Sequence, residues 1–133
     1  MAKRAFDVPA DLKYTKDHEW IRIEASRARI GITDFAQDAL TDVVYAELPE
    51  VGDEVKRGDS MGVVESTKSV SDVFAPLTGK VVEINERLDD EPELLNTKPY
   101  TDGWFCVVEL SAPAEVSDLL DAANYRKVSE AGH

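Results

Sequence analysis

The sequence contains a single cysteine and only two histidines among its 133 residues. Because Cys106 has no second cysteine to pair with, an internal disulfide is excluded, and a reducing compartment suits such a chain. His18 and His133 stand near opposite ends, and no spacing typical of a metal site is present. Cys106 and His18 form the one conceivable nucleophile–base pair. Since residues 105–108 are an apolar run, we expect Cys106 to be a buried, inert thiol.

Long apolar runs and positive charge are also scarce. No apolar stretch approaches the ~20 residues of a membrane-spanning helix, and we see neither a Gly-rich phosphate loop nor a targeting peptide. Asp and Glu number 27 against 15 Lys and Arg, a formal net charge of −12 at pH 7. This negative net charge disfavours binding to nucleic acids and to anionic membrane surfaces. It favours basic patches on partner proteins, although it also serves solubility alone. We therefore expect a cytoplasmic protein.

The most informative segment places one lysine between two strand-like runs. Apolar residues at 63–64 and 73–74 flank it, and the intervening residues 65–72 are too polar for a core. This pattern predicts a β-hairpin with Lys68 at or near its exposed tip. A lysine in that position is either an ordinary solvated charge or a site that a modifying enzyme can reach to attach a cofactor.

The rest of the chain predicts many short strands and few helices. Strands are expected at residues 20–24, 28–32, 43–48, 80–84 and 104–110, with a short strand and turn at 55–58. A helix is expected to begin after Thr33 or Asp34, with Asp34 able to cap it. Many short strands between turn signals are typical of a small β-sandwich or flattened barrel.

The C-terminal part predicts a loop followed by helical segments. Residues 87–102 are expected to form the loop, residues 113–120 have helical spacing, and Asp121 is expected to cap a segment that runs through Lys127. The length predicts one domain over residues 1–133, ordered over about 12–125, with frayed tails that include residues 129–133.

The segment around Lys68 resembles the lipoyl-attachment segment of the glycine cleavage system H-protein family. In that family Glu-Ser-x-Lys-x-x-Ser-Asp precedes a short apolar run, Ala-Pro and a Gly turn. The corresponding residues here are Glu65-Ser66-Thr67-Lys68-Ser69-Val70-Ser71-Asp72, then Ala75-Pro76-Leu77-Thr78-Gly79. Further blocks resemble the family in the same order, at residues 14–20, 31–37, 44–53, 92–96, 99–100 and 102–104. Thr67 and Ser69 depart from the frequent Val and Ala of the family, without changing the chemistry of the amine.

This resemblance implies a mainly β, barrel-sandwich hybrid fold of the lipoyl/biotinyl type, with short peripheral helices and a C-terminal helix. It implies lipoate, attached covalently to Lys68, on a carrier that is not itself an enzyme. The carrier would take the aminomethyl group of glycine from glycine decarboxylase (P protein) to the tetrahydrofolate-dependent aminomethyltransferase (T protein). Dihydrolipoyl dehydrogenase (L protein) would then reoxidise it. A lipoylating enzyme would attach the cofactor.

Several acidic residues accompany the lysine. Glu65 and Asp72 flank it and are either recognition residues for the lipoylating enzyme or ordinary polar hairpin residues. The resemblance also implies a cleft that shelters the loaded arm, where an ammonium group needs acceptors. The matching positions are Asp17, His18, Glu19 and Asp72. Glu19 is the leading candidate partner of the amine, although a solvated strand edge at residues 18–19 is the alternative.

Other functions stay open at this point. A biotinyl domain usually has Met on both sides of its lysine, and a lipoyl domain of a 2-oxo-acid dehydrogenase usually carries Asp-Lys-Ala beside flexible linkers. Thr67-Lys68-Ser69 matches neither pattern. An H-like protein could also relay lipoyl or octanoyl groups to other proteins. A cofactor-free interaction module would account for the acidity but not for the hairpin lysine.

Overall fold

Short strands dominate the chain, and the computed structural model describes them within residues 6–131. The strands are β1 Lys13–Tyr14, β2 Glu19–Glu24, β3 Arg27–Ile32, β4 Val43–Glu47, β5 Glu54–Val55, β6 Ser60–Ser66, β7 Val70–Phe74, β8 Gly79–Ile84 and β9 Cys106–Leu110. The helices are α1 Asp34–Leu40, α2 Arg87–Asp90, α3 Leu94–Thr97 and α4 Ala122–Glu130, with a 3-10 helix at Pro113–Asp118. Within this range, no helix is long and apolar enough to cross a membrane.

The strands form two antiparallel sheets around one core. The larger sheet has the order β1-β2-β3-β9-β8-β5, and the smaller has the order β4-β6-β7. Apolar side chains from both sheets meet in the core, among them Ile30, Val64, Val81, Phe105 and Val108. In β3 the core residues Ala28, Ile30 and Ile32 alternate along the strand, since successive side chains point to opposite faces. The predicted mainly β, barrel-sandwich fold with peripheral helices is confirmed.

The C-terminal helix α4 packs on a smaller cluster outside the main core. Tyr125 stacks on Tyr14 with 4.7 Å between ring centroids, and Trp20 joins the same cluster. The Asp121 carboxylate accepts a hydrogen bond from the Asn124 N–H at 2.8 Å, so the predicted cap is confirmed. α4 thereby packs against β1 and β2, the strands on either side of residues 15–18.

Trp20 lies against Gly31 on the neighbouring strand. A Cβ added at Gly31 would stand 2.5 Å from the indole Nε1, so only glycine leaves room for the ring. The indole N–H donates to the Pro99 carbonyl at 2.8 Å. The contact with Gly31 and the hydrogen bond to Pro99 together hold Trp20, and with it the first residues of β2, in place.

Three predictions about helices and chain ends are wrong. Residues 87–102 contain α2 and α3 instead of a plain loop, because buried leucines anchor both helices, namely Leu88, Leu94 and Leu95. Ser129 is buried within α4, so fraying is wrong for residues 129–130, while residues 132–133 lie outside the described range. α1 begins directly after Thr33, which is one of the two predicted starts, but the predicted Asp34 cap is wrong, because the Thr33 Oγ1 accepts the capping hydrogen bond from the Ala36 N–H.

Candidate functional site

The predicted hairpin around Lys68 is present. β6 and β7 pair in antiparallel register up to the tip, and residues 67–69 form the exposed connection. Val64 and Val73 are buried in the core beneath it. The apolar stem therefore anchors a polar tip at which Lys68 is exposed.

Ser66 shapes the turn at the tip. Its Oγ accepts hydrogen bonds from the backbone N–H of Lys68 at 3.1 Å and of Ser69 at 3.0 Å. Its own N–H donates to the Ser69 carbonyl at 2.8 Å. A serine that accepts from the backbone two and three residues later stabilises a turn. The sequence analysis used Ser66 only as part of a motif, although a serine two residues before an exposed lysine is a turn signal.

The tip also docks on the loop that follows α1. The Thr67 N–H donates to the Asp42 carbonyl at 3.0 Å. From α3, the Asn96 amide fixes this loop by donating to the Thr41 carbonyl at 2.7 Å and accepting from the Val43 N–H at 2.8 Å. α3 therefore supports the lysine tip from a distant part of the sequence.

A cleft of about 270 Å³ opens beside the tip, between the hairpin and α1. Apolar side chains form much of its wall, including Ile32, Phe35, Leu40, Val64 and Val73. Ser69 and Ala39 also border it, and the Lys68 Nζ lies 3.5 Å from the Ala39 carbonyl oxygen. At this distance the hydrogen bond is weak. The lysine amine thus stands at the edge of the cleft and is accessible.

The residues predicted to line a cleft all border this one: Asp17, His18, Glu19 and Asp72. Asp17 and Asp72 are exposed at its rim, whereas His18 is half-buried and Glu19 is only 2 % exposed. The Asp72 carboxylate accepts a hydrogen bond from the Ser60 hydroxyl at 2.9 Å. One buried acid and two exposed acids therefore surround the cleft.

Glu19 has an unusual environment for a carboxylate. Its Oε1 accepts from the Thr15 hydroxyl at 2.7 Å, and its Oε2 accepts from the Phe74 N–H at 3.2 Å. Burial raises the pKa of Glu19 to about 7, because desolvation outweighs these two hydrogen bonds. A carboxylate can accept about four hydrogen bonds, so acceptor capacity remains. A cation in the cleft would favour the ionised form.

His18 is held in place by α4. Its backbone has a φ of 71°, in the left-handed region that few residues other than glycine adopt. Its ring stacks on Phe35 at 4.4 Å between centroids, and its Nδ1 lies 2.7 Å from the Tyr125 hydroxyl. The same hydroxyl lies 2.7 Å from the Thr33 Oγ1. Tyr125 was not predicted as a site residue, because its contact with His18 spans most of the chain.

Glu65 and Asp72 share one face of the hairpin. Glu65 pairs with Val70 and Asp72 with Val63. Paired residues, and residues two apart on a strand, point to the same side of a sheet. The two candidate recognition acids therefore lie on one surface, on opposite strands below the lysine.

Comparisons with known proteins agree on one family. The model of the glycine cleavage H-protein family matches residues 12–132. A glycine cleavage system H protein from Symbiobacterium thermophilum is 56% identical over 126 residues, which cover 95% of this chain and 98% of that protein. One from Anaeromyxobacter sp. (strain K) is 54% identical over 124 residues, covering 93% and 97%. The chain belongs to the glycine cleavage H-protein family.

A solved structure supports the same assignment to the H-protein family. The crystal structure of a glycine cleavage system H protein from Mycobacterium marinum superposes with a TM-score of 0.85 at 44% sequence identity. The match covers 92% of this chain and 99% of that one. The family resemblance drawn from the sequence is confirmed, and it displaces the biotinyl and 2-oxo-acid dehydrogenase alternatives.

Cys106 and His18, the one nucleophile–base pair considered from the sequence, lie in different surroundings. Cys106 is fully buried, with its Sγ 3.9 Å from the Met61 sulfur, and burial raises the pKa of the thiol to about 12. His18 borders the surface cleft instead and meets the Tyr125 hydroxyl. Among residues 6–131, no cluster of three or more His, Cys, Asp or Glu could hold a metal ion. The predicted burial of Cys106 is confirmed.

Proposed function

We propose that this chain is the lipoyl carrier of a glycine cleavage system and that Lys68 carries the lipoyl group through an amide bond. The observation that supports this most directly is the exposed Lys68 at a hydrogen-bonded hairpin tip, next to a partly apolar cleft. Membership of the H-protein family supports the same function. The chain would act as a cofactor carrier and would catalyse no step itself.

The residues present fit a lipoyl group. The Lys68 Nζ is accessible, and amide formation would remove its charge, which favours contact with apolar surface. Phe35 and Val64 supply such surface in the adjoining cleft. When bound, the lipoyl group supplies the disulfide that accepts the one-carbon amine unit of glycine.

The acids of the cleft would hold the amine end of the cargo. Glu19 is the best placed, since its carboxylate is buried and keeps acceptor capacity beyond its bonds to Thr15 and Phe74. Because its pKa is about 7, Glu19 is about half ionised near neutral pH when the cleft is empty, and an ammonium group in the cleft would shift it toward the ionised form. Asp17 and Asp72 at the rim would add negative potential there.

The partners follow from the family. We propose that the chain meets glycine decarboxylase (P protein), the aminomethyltransferase (T protein), dihydrolipoyl dehydrogenase (L protein) and a lipoylating enzyme. A net charge of −12 supports contacts with basic partner surfaces. Glu65 and Asp72 remain candidates for recognition by the lipoylating enzyme. The cytoplasmic location stays a prediction.

Mass spectrometry tests the proposal. The wild type, Lys68→Arg and a control, Lys80→Arg on the exposed side of β8, are each incubated with a lipoate ligase, lipoate and ATP. We expect one lipoyl increment on the Lys68 peptide of the wild type and the control, and none for Lys68→Arg. An unmodified wild type, with the ligase shown active on another lipoyl domain, would refute the proposal and favour a cofactor-free interaction module.

A further inference from the structure

The outward face of the smaller sheet presents a regular pattern of apolar and acidic residues. In the register of β4, β6 and β7, one row across the three strands joins Tyr45, Glu65 and Val70, and the next row joins Glu47, Val63 and Asp72. Cross-strand partners point to the same side of a sheet. We call these six residues, with Val44 beside them, the outer face; Val70 and Asp72, on the edge strand β7, also border the cleft.

Exposed apolar side chains concentrate on the outer face. Among residues 6–131, five large apolar side chains are exposed, and three of them lie here: Val44 at 55%, Tyr45 at 48% and Val70 at 65%. The other two, Ile23 and Val51, lie elsewhere on the chain. Single exposed apolar residues are ordinary, but a group of them beside a functional tip is typical of an interaction site.

The charged residues of the outer face are all acidic. Glu47, Glu65 and Asp72 contribute three carboxylates between the apolar side chains. Acids directly beside one another on a sheet cost stability, whereas here each row alternates acidic and apolar residues. A complementary partner surface would carry Lys or Arg side chains together with aliphatic groups.

The protein itself covers the other side of the tip. The Thr67 N–H is bonded to the Asp42 carbonyl, and the Lys68 Nζ leans toward the Ala39 carbonyl at the end of α1. An enzyme that must enclose the Lys68 side chain can therefore approach it most freely from the outer face.

We propose that the outer face is the docking surface for the enzyme that attaches the lipoyl group to Lys68. The partner presents a basic, partly aliphatic surface to Tyr45, Val70 and the acids between them. This inference rests on the proposed function, because it presupposes that Lys68 is lipoylated. It adds Tyr45, Glu47 and Val70 to the recognition acids Glu65 and Asp72.

The kinetics of lipoylation test the role of the exposed apolar side chains of the outer face. The double variant Tyr45→Thr/Val70→Thr keeps β-forming residues on both strands but removes the exposed apolar groups. We expect kcat/KM for lipoylation by a lipoate ligase with lipoate and ATP to fall about tenfold, as for contacts at the centre of an interface. Thermal unfolding should stay close to the wild type. The matched control, Ile23→Thr, changes an exposed apolar strand residue of the larger sheet and should leave kcat/KM within about twofold.

The salt dependence of lipoylation kinetics tests the role of the acidic residues of the outer face. Raising salt from about 0.05 M to about 0.5 M should lower kcat/KM of the wild type, and Glu47→Gln should weaken this dependence. Glu54→Gln, an exposed acid on β5, is the control and should retain the wild-type dependence. Unchanged kinetics and salt dependence in the outer-face variants, with Lys68 still modified, would overturn the docking inference alone. A wild type that is never modified would instead refute the proposed function.

Discussion

The buried Glu19 carboxylate predicts how stability depends on pH. Its pKa is raised from the ordinary value of 4.5 to about 7 by burial, so the folded protein holds this proton more tightly than the unfolded chain. The stabilising contribution of the proton is complete below pH 4.5 and is lost as pH rises through about 7. Above that range Glu19 is ionised in both states, and its buried charge is a constant cost.

The size of the effect follows from the difference between the two pKa values. At about 1.4 kcal/mol for each tenfold change in acidity, the full loss is about 3 kcal/mol, of which about 2 kcal/mol falls between pH 5 and pH 8. Glu19→Gln carries no charge at any pH and lacks this loss. The free energy of unfolding of Glu19→Gln relative to the wild type should therefore rise by about 2 kcal/mol from pH 5 to pH 8.

Urea unfolding of both proteins at several pH values measures this difference. All other titrating groups are shared by the two proteins, so their contributions largely cancel in the comparison. Asp72→Asn removes an exposed acid of the same cleft and is the control for the loss of a carboxylate from this surface. If the Glu19→Gln difference is the same at pH 5 and at pH 8, the Glu19 carboxylate is not desolvated as described, and its proposed ability to respond to a cation in the cleft fails with it.

Three further substitutions test the site and the fold. Ser66→Ala removes the turn hydrogen bonds, so amide exchange at the tip should accelerate while the free energy of unfolding falls by no more than about 1 kcal/mol; unchanged exchange would contradict the role of Ser66. Tyr125→Phe keeps the ring stack but loses the hydroxyl, and urea unfolding should show a loss of about 1–2 kcal/mol together with a shifted His18 ring resonance in NMR spectra. An unmoved resonance would show that the two residues are not coupled. Gly31→Ala places a Cβ against Trp20, and we expect a loss of about 1–3 kcal/mol in urea unfolding, which a wild-type midpoint would refute.

Features that depend on neighbouring residues could be predicted from the sequence. The hairpin follows from two apolar runs around a polar link, and the Asp121 cap follows from a residue type at a helix start. The family motifs placed Asp17, His18, Glu19 and Asp72 together, and the structure brings all of them to one cleft. The sequence alone was sufficient to predict a feature when neighbouring residues determine it, or when a complete family motif marks it.

Features that depend on distant contacts could not be predicted in this way. The oxygens of Glu19 meet the Thr15 hydroxyl and the Phe74 N–H, and only the second contact, 55 residues away, places the carboxylate under the hairpin. Asn96 supports the loop at Thr41 across a separation of 55 residues. No periodicity in the sequence reports such pairs, because they exist only once the sheets and α3 are packed.

The error at residues 87–102 has a different cause. α2 and α3 have four residues each, and isolated helices of that length are unstable in water. Leu88 and Leu95 are fully buried, so tertiary packing stabilises these helices more than local propensity does. The prolines at 92 and 99 are residues that usually interrupt helices and strands, so the sequence of this segment predicted a loop.

The buried Cys106 has a consequence for the redox chemistry of a carrier. It is the only cysteine of the chain, it is fully buried, and its raised pKa keeps it protonated. Exchange between thiols and disulfides requires an accessible thiolate. A dithiol carried on Lys68 could therefore not be trapped as a mixed disulfide with its own protein. A thiol reagent added to the folded protein with its arm reduced would count the thiols of the arm alone.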